Sequence, residues 1–182
     1  MAPGRPKPRV GGKRAASHVR EPAPDYRGLP SVWRAADAPD RPTPLLLDTH
    51  IWLWVIDATP GAIAPALRRT IEQAAGDRRL FVSDFSCWEV AMLAANGRLE
   101  LAVDVNAWLD RALEAPGIQT VPLTRAVLVR STTLPGEPHG DPADRILLSS
   151  AHAIGAALMT CDRGIIAYAT RTPGVAVCDA RA

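Results

Sequence analysis

The run Pro44-Leu45-Leu46-Leu47-Asp48 decides how the chain is read. Three leucines bounded by a proline and an acid are strand-sized, and they read as a buried strand that ends in a carboxylate. The same pattern recurs downstream. Leu80–Val82, Ile118–Leu123, Ala157–Thr160 and Val175–Cys178 are short apolar segments of strand length. Between them lie segments of helical period. Ala64–Ala75 carries Leu67, Ile71 and Ala74 at helical spacing, and Gly76-Asp77 ends it. Ser86–Ala95 is stopped by Asn96-Gly97. Val105–Leu113 puts Trp108, Leu109 and Ala112 on one face, and Arg125–Ser131 is short. Pro142–Ala156 opens the longest pattern, with Leu147, Ala151, Ile154 and Leu158 spaced four, three and four. Strands alternating with helices predict an α/β fold with a mostly parallel central sheet, because parallel neighbours need a crossover helix.

Composition agrees with a globular domain. Apolar residues are 47% and charged residues 22% of 182, which excludes a wholly disordered chain or a collagen-like repeat. No apolar stretch is long enough for a transmembrane helix, so no membrane partner is expected. Three widely spaced cysteines without a CxxC (Cys87, Cys161 and Cys178) argue against a structural zinc site and for a reducing, cytoplasmic location.

The charge is uneven. Residues 1–44 hold nine basic against four acidic residues, a net +5, and nine of the 17 prolines; residues 45–182 hold twelve against fifteen, a net −3. Residues 1–44 therefore read as a basic, Pro-rich tail, expected to be disordered, with a short helical turn over Leu29–Ala36. Such a tail either attracts RNA by counterion release or is a solvated extension. Met1–Val10 has no apolar core and is not a secretory signal. Residues 45–182 form the expected folded domain.

In open α/β sheets, sites form beyond the carboxyl ends of the strands. Asp48 ends the first strand, and Asp162 lies two residues past Thr160. Glu89 and Asp144 fall in first turns of helices. Each acid also has a structural use. Ser86 to Glu89 matches a capping box, Asp141-Pro142-Ala143-Asp144 is a good helix start, Asp162-Arg163-Gly164 reads as a turn, and Asp48 can cap a following helix. Helical spacing nevertheless puts Glu89 on the face of Met92 and Leu93, and Asp144 on the face of Leu147 and Leu148. Carboxylates gathered there repel one another, and a divalent cation would neutralise them. All-carboxylate oxygen donors select a hard ion, Mg²⁺ or Mn²⁺.

At these residues the chain resembles PIN-domain ribonucleases of the VapC toxin type. Leu45 to His50 is similar to their opening strand. Val82-Ser83 with Ser86 to Ala91 and Asn96 to Leu99 is similar to their second acidic segment. His139 to Leu148 resembles the third and Leu158 to Asp162 the fourth. The resemblance runs from about Pro44 to the C-terminus and implies a three-layer α/β/α fold and Mg²⁺-dependent hydrolysis of RNA. By that carry-over Asp48, Glu89 and Asp144 are the core catalytic and metal-binding acids and Asp162 a supporting fourth. Asp141 is a helix cap first and a helper second. Thr49 and Ser83 are candidates to orient the acids, Arg145 pairs with a carboxylate or contacts phosphate, and His18, His50, His139 and His152 are surface or packed residues. The resemblance also implies an RNA substrate, a small antitoxin partner whose Arg pairs with the acids, and a homodimer. Leu99, Leu101 and Trp108 could offer that partner an apolar surface, although Trp108 suits the core better. A dehalogenase-like phosphate hydrolase would need a second acid where His50 stands. An RNA-processing nuclease without a toxin role, and a non-catalytic binding module, remain the alternatives.

Overall fold

The computed structural model describes residues 32–34, 43–138 and 140–181. Among these residues six strands, β1 (Val32–Arg34), β2 (Leu45–Leu47), β3 (Leu80–Ser83), β4 (Ile118–Val121), β5 (Ala157–Thr160) and β6 (Val177–Asp179), form one sheet. All are parallel, in the order β1-β6-β5-β2-β3-β4. Seven helices accompany them among the described residues: α1 (Thr49–Ile56), α2 (Pro65–Gly76), α3 (Asp84–Ala95), α4 (Val105–Leu113), α5 (Arg125–Ser131), α6 (Pro142–Ala153) and α7 (Arg163–Arg171).

Alternation along the strands makes the layers. Leu45, Leu47, Leu80, Val82, Ala157 and Met159 face one side, where α1, α2 and α4 cover them with Trp52, Leu67, Ile71 and Trp108. Leu46, Leu158 and Val177 face the other side, against Leu147, Leu148 and Ala151 of α6 and Ile165 and Tyr168 of α7. A sheet covered on both faces explains why its strands are uninterrupted apolar runs. The three-layer α/β/α fold is as expected. Among the described residues no helix is long and apolar enough to cross a membrane. All three cysteines are free thiols.

Three elements differ from expectation. Within the segment expected to be a tail, Val32–Arg34 is a strand rather than a helical turn, paired in parallel with β6. Main-chain pairing to an otherwise open sheet edge accounts for it, since three residues can join a strand without any pattern of their own. Most of the remaining residues expected for the tail lie outside the described ones. The helix α7 emerges where a turn was expected, and α1, envisaged only as a helix that Asp48 could cap, runs from Thr49 to Ile56. The strand β2 is central, and the chain runs from it to β3 and β4 on one side before β5 and β6 fill the other. The topological switch point therefore lies between β2 and β5, where ligands of such sheets bind.

Gly117 marks where β4 enters the sheet. Its φ is +83°, and a Cβ there would stand 2.4 Å from the backbone oxygen of Ala75. Gly117→Ala should therefore lower stability by about 1–3 kcal/mol, from left-handed backbone strain plus a backbone clash that no rotamer change relieves. Denaturant melts of the two chains measure it.

Candidate active site

The acids arrive at the switch point through strand ends and helix starts. Asp48 follows β2 directly and is the N-cap of α1, its Oδ1 accepting from the His50 N–H at 3.2 Å. Its Oδ2 accepts from the hydroxyl of Thr160, at the end of the adjacent β5. Asp48 is buried, yet both carboxylate oxygens are partnered. Thr160 Oγ1 in turn accepts from the Asp162 N–H at 3.0 Å. Asp162 is the N-cap of α7, its Oδ1 bound by the Ile165 N–H at 2.8 Å. The expected turn at Asp162 is thus a helix start. Asp141 caps α6 through Ala143 N–H, as expected, and Asp144 stands in the first turn of that helix.

Glu89 reaches the same place from α3. That helix starts at Asp84, and its N-cap is Ser83, whose Oγ accepts from Phe85 N–H. The capping box expected of Ser86 and Glu89 is therefore absent, because both lie inside the helix. Glu89 Oε2 instead accepts from Thr49 Oγ1 at 2.6 Å, and Thr49 Oγ1 lies 2.9 Å from Ser86 Oγ. The structure thus gives Thr49 a contact with a site acid. Ser83 caps α3 and pairs with Ser150 Oγ at 3.2 Å. Trp108 is buried against Trp52, with the two rings 5.2 Å apart.

Asp48, Glu89, Asp141, Asp144 and Asp162 all line one cleft of about 530 Å³. Among the described residues, no group of three or more His, Cys, Asp or Glu side chains converges as a cage for one ion. The donor chemistry still fits a hard divalent ion. Mg²⁺ is commonly held by one or two carboxylates, with waters and substrate phosphate completing its shell, not by an all-protein cage. Burial pushes the Glu89 carboxyl above its ordinary range, Thr49 opposes that shift, and the charge of Asp48 adds to it.

Sequence reading missed three other residues of the cleft. The sequence makes His50 no more than a surface or packed histidine. It lines the cleft with Nδ1 3.7 Å from Asp48 Oδ1, and the Asp48 carboxylate beside it raises its pKa above the ordinary value. Trp88 and Arg98 also line the cleft. Their places were implicit in the spacing of α3 and in Gly97-Arg98 after it, but only the neighbouring acids give those places meaning.

The shift on Glu89 has a consequence for stability. A carboxyl whose folded pKa lies above its unfolded value binds its proton more tightly in the folded state. Stability from this group is greatest below the unfolded pKa and is lost as pH rises through the folded pKa. In EDTA at pH 7, Glu89→Gln should therefore melt above the parent chain, since its amide oxygen can still accept from Thr49. The gap should close as pH falls through the folded pKa toward 4.5. Thermal melts across that range test the sign.

The comparisons with known proteins agree with this architecture. A family model described as PIN domain matches residues 45–170. Ribonuclease VapC22 of Mycobacterium tuberculosis (strain ATCC 25618 / H37Rv) is 36% identical over 121 residues, which is 66% of this chain and 88% of that protein. VapBC2 from Rickettsia felis, solved bound to a promoter DNA fragment, superposes with a TM-score of 0.54 at 17% identity, over 74% of this chain and 97% of that one. DNA-bound VapBC from Salmonella typhimurium gives 0.54 at 16%, over 76% and 99%. At such identities the structural likeness speaks for the fold.

Proposed function

The chain belongs to the PIN-domain family, and from that premise we propose that it is a metal-dependent ribonuclease, the toxin of a toxin–antitoxin pair in the cytoplasm. The observation that carries this reading is the gathering of Asp48, Glu89, Asp144 and Asp162 in one cleft at the sheet's switch point. The likeness to a ribonuclease supports it.

When bound, Mg²⁺, or Mn²⁺ in its place, supplies a hard Lewis acid that offsets charge on the phosphate and lowers the pKa of water. Asp48, Asp144 and Glu89 would hold it, with Asp162 in support. Thr160 and the His50 N–H fix both oxygens of Asp48, so this carboxylate is preorganised. Thr49 holds one oxygen of Glu89. The other oxygen is outside that bond and would orient the attacking water and accept its proton. Arg98 places positive charge at an otherwise acidic mouth. The partner is a small antitoxin whose arginine would bridge the acids bidentately and exclude both ion and RNA. The active assembly is a homodimer.

The test is cleavage of single-stranded RNA by the purified chain. Cleavage should appear with Mg²⁺ or Mn²⁺ and vanish with EDTA. Cleavage that survives EDTA, or none under any divalent ion, overturns the reading. Expression in a host should arrest growth, and co-expression of the antitoxin should relieve it. Active enzyme with normal growth would leave a nuclease without the toxin role.

A further inference from the structure

Trp88 stands one residue before Glu89 and is 57% exposed. One face of its indole stacks on Phe85, with ring centroids 5.3 Å apart and planes 26° from parallel. Phe85 is itself buried and packs into the core on the α6 and α7 side of the sheet. The shelf therefore has a fixed back and an open front. Both rings line the cleft that holds the acids.

Charge in this cleft works against an RNA backbone. Five carboxylates line it, against one arginine and one histidine among the described residues. An ion can offset part of that charge at the bond to be cut, but the flanking nucleotides need another source of affinity. Stacking provides one that is indifferent to local charge and available to every base, because each has a π-face. A tryptophan braced edge-to-edge in a core would be buried. A solubilising position on α3 would not carry an indole backed by a buried ring.

We propose that Trp88 is a stacking platform for one base of the RNA, next to the bond that is cut, with Arg98 placed to meet a neighbouring phosphate. This rests on the ribonuclease reading and adds to it a positioning residue that sets which nucleotide the site grips. The acids act on the phosphodiester, and Trp88 supplies affinity for the base beside it.

The experiment uses the full chain and a single-stranded oligoribonucleotide with one cleavage site. A companion series replaces one base at a time with an abasic ribose. Removing the stacked base should raise KM for the parent chain by about 5- to 100-fold, the range that base–aromatic stacking spans. Trp88→Ala should raise KM on the intact RNA by a similar factor, with kcat changed little, and removing that same base should then cost this variant nothing more. Trp88→Phe should keep most of the affinity. Thermal melts of both variants should match the parent.

A second readout needs no turnover. RNA should quench tryptophan fluorescence of Asp48→Asn, and much less that of Asp48→Asn with Trp88→Phe. Unchanged KM in Trp88→Ala, or losses that simply multiply at every abasic position, overturns the proposal. Unchanged RNA kinetics with weakened antitoxin binding would assign the indole to a protein partner instead. If the parent chain cuts no RNA but Trp88-dependent quenching persists, the ribonuclease reading falls and the platform stands. If quenching is also absent, both fall.

Discussion

Asp48→Asn should leave the chain folded and reduce RNA cleavage by about 10³-fold or more, a loss of at least about 4 kcal/mol of transition-state stabilisation. Substituting a group that only supports a metal ligand already costs about 10- to 100-fold, and Asp48 is proposed as a ligand itself. The fold should survive because asparagine keeps the shape and most of the hydrogen bonds. Its Oδ1 can still accept from the His50 N–H, and its amide can donate to Thr160 Oγ1. What disappears is a buried negative charge beside Glu89, one of the causes of that residue's raised pKa. The variant should therefore melt at or above the parent temperature in EDTA while losing activity. Opposite signs for stability and rate are what a strained functional cluster produces, and a packing residue would lose both. Cleavage within a few-fold of the parent would remove Asp48 from the site. Parallel loss of activity and melting temperature would make it structural.

The strands were legible because burial on both faces removes alternation and leaves apolar runs such as Leu45–Leu47 and Ala157–Thr160. The acids were legible for a related reason. Asp48 and Asp162 follow strands and Asp144 stands in the first turn of a helix, positions that share one edge in a parallel sheet, whereas Glu89 lies inside α3 and was legible only through the helical face it shares with Met92 and Leu93. What stayed hidden depends on distant partners. The helix α1 reads Thr-His-Ile-Trp-Leu-Trp-Val-Ile, apolar nearly all round and rich in β-branched and aromatic residues, so no helical face stands out. Its cap, Asp48, was visible as a possible one, but its length was not. The helix α7 begins Arg163-Gly164, which looks like turn chemistry until Asp162 is seen capping Ile165. The strand β1 finds its partner, β6, almost the whole chain away. Trp88 and His50 look ordinary in sequence because the cleft they line is closed by Asp141 and Asp144 at the start of α6 and by Asp162, all far along the chain.

Trp52→Ala should be the most damaging single change to the fold, at about 3–5 kcal/mol. For a domain of this size that is a fall of roughly 10 °C or more in melting temperature. Trp52 is fully buried and meets Trp108 edge to face, at 5.2 Å and 69°. Trp108 in turn donates through Nε1 to Asp57, just past the end of α1, at 2.9 Å. The pair thus ties α1 to α4 twice, once through the rings and once through that hydrogen bond. An alanine at 52 removes the ring that Trp108 packs on and leaves a cavity beneath the helix whose first turn holds Thr49 and His50. Trp52→Phe should cost much less. It keeps an aromatic edge against Trp108 and removes an indole N–H that is buried without a hydrogen-bond partner among the described residues. If the RNA-cleaving site depends on α1 only as a rigid support, activity of Trp52→Phe below its melting temperature should stay near the parent value, while Trp52→Ala loses activity in step with its unfolded fraction. Calorimetry and cleavage rates on the same samples separate the two. A small loss in Trp52→Ala would mean that the space beneath α1 collapses around the smaller side chain, and that this helix is held by its cap at Asp48 rather than by its tryptophan.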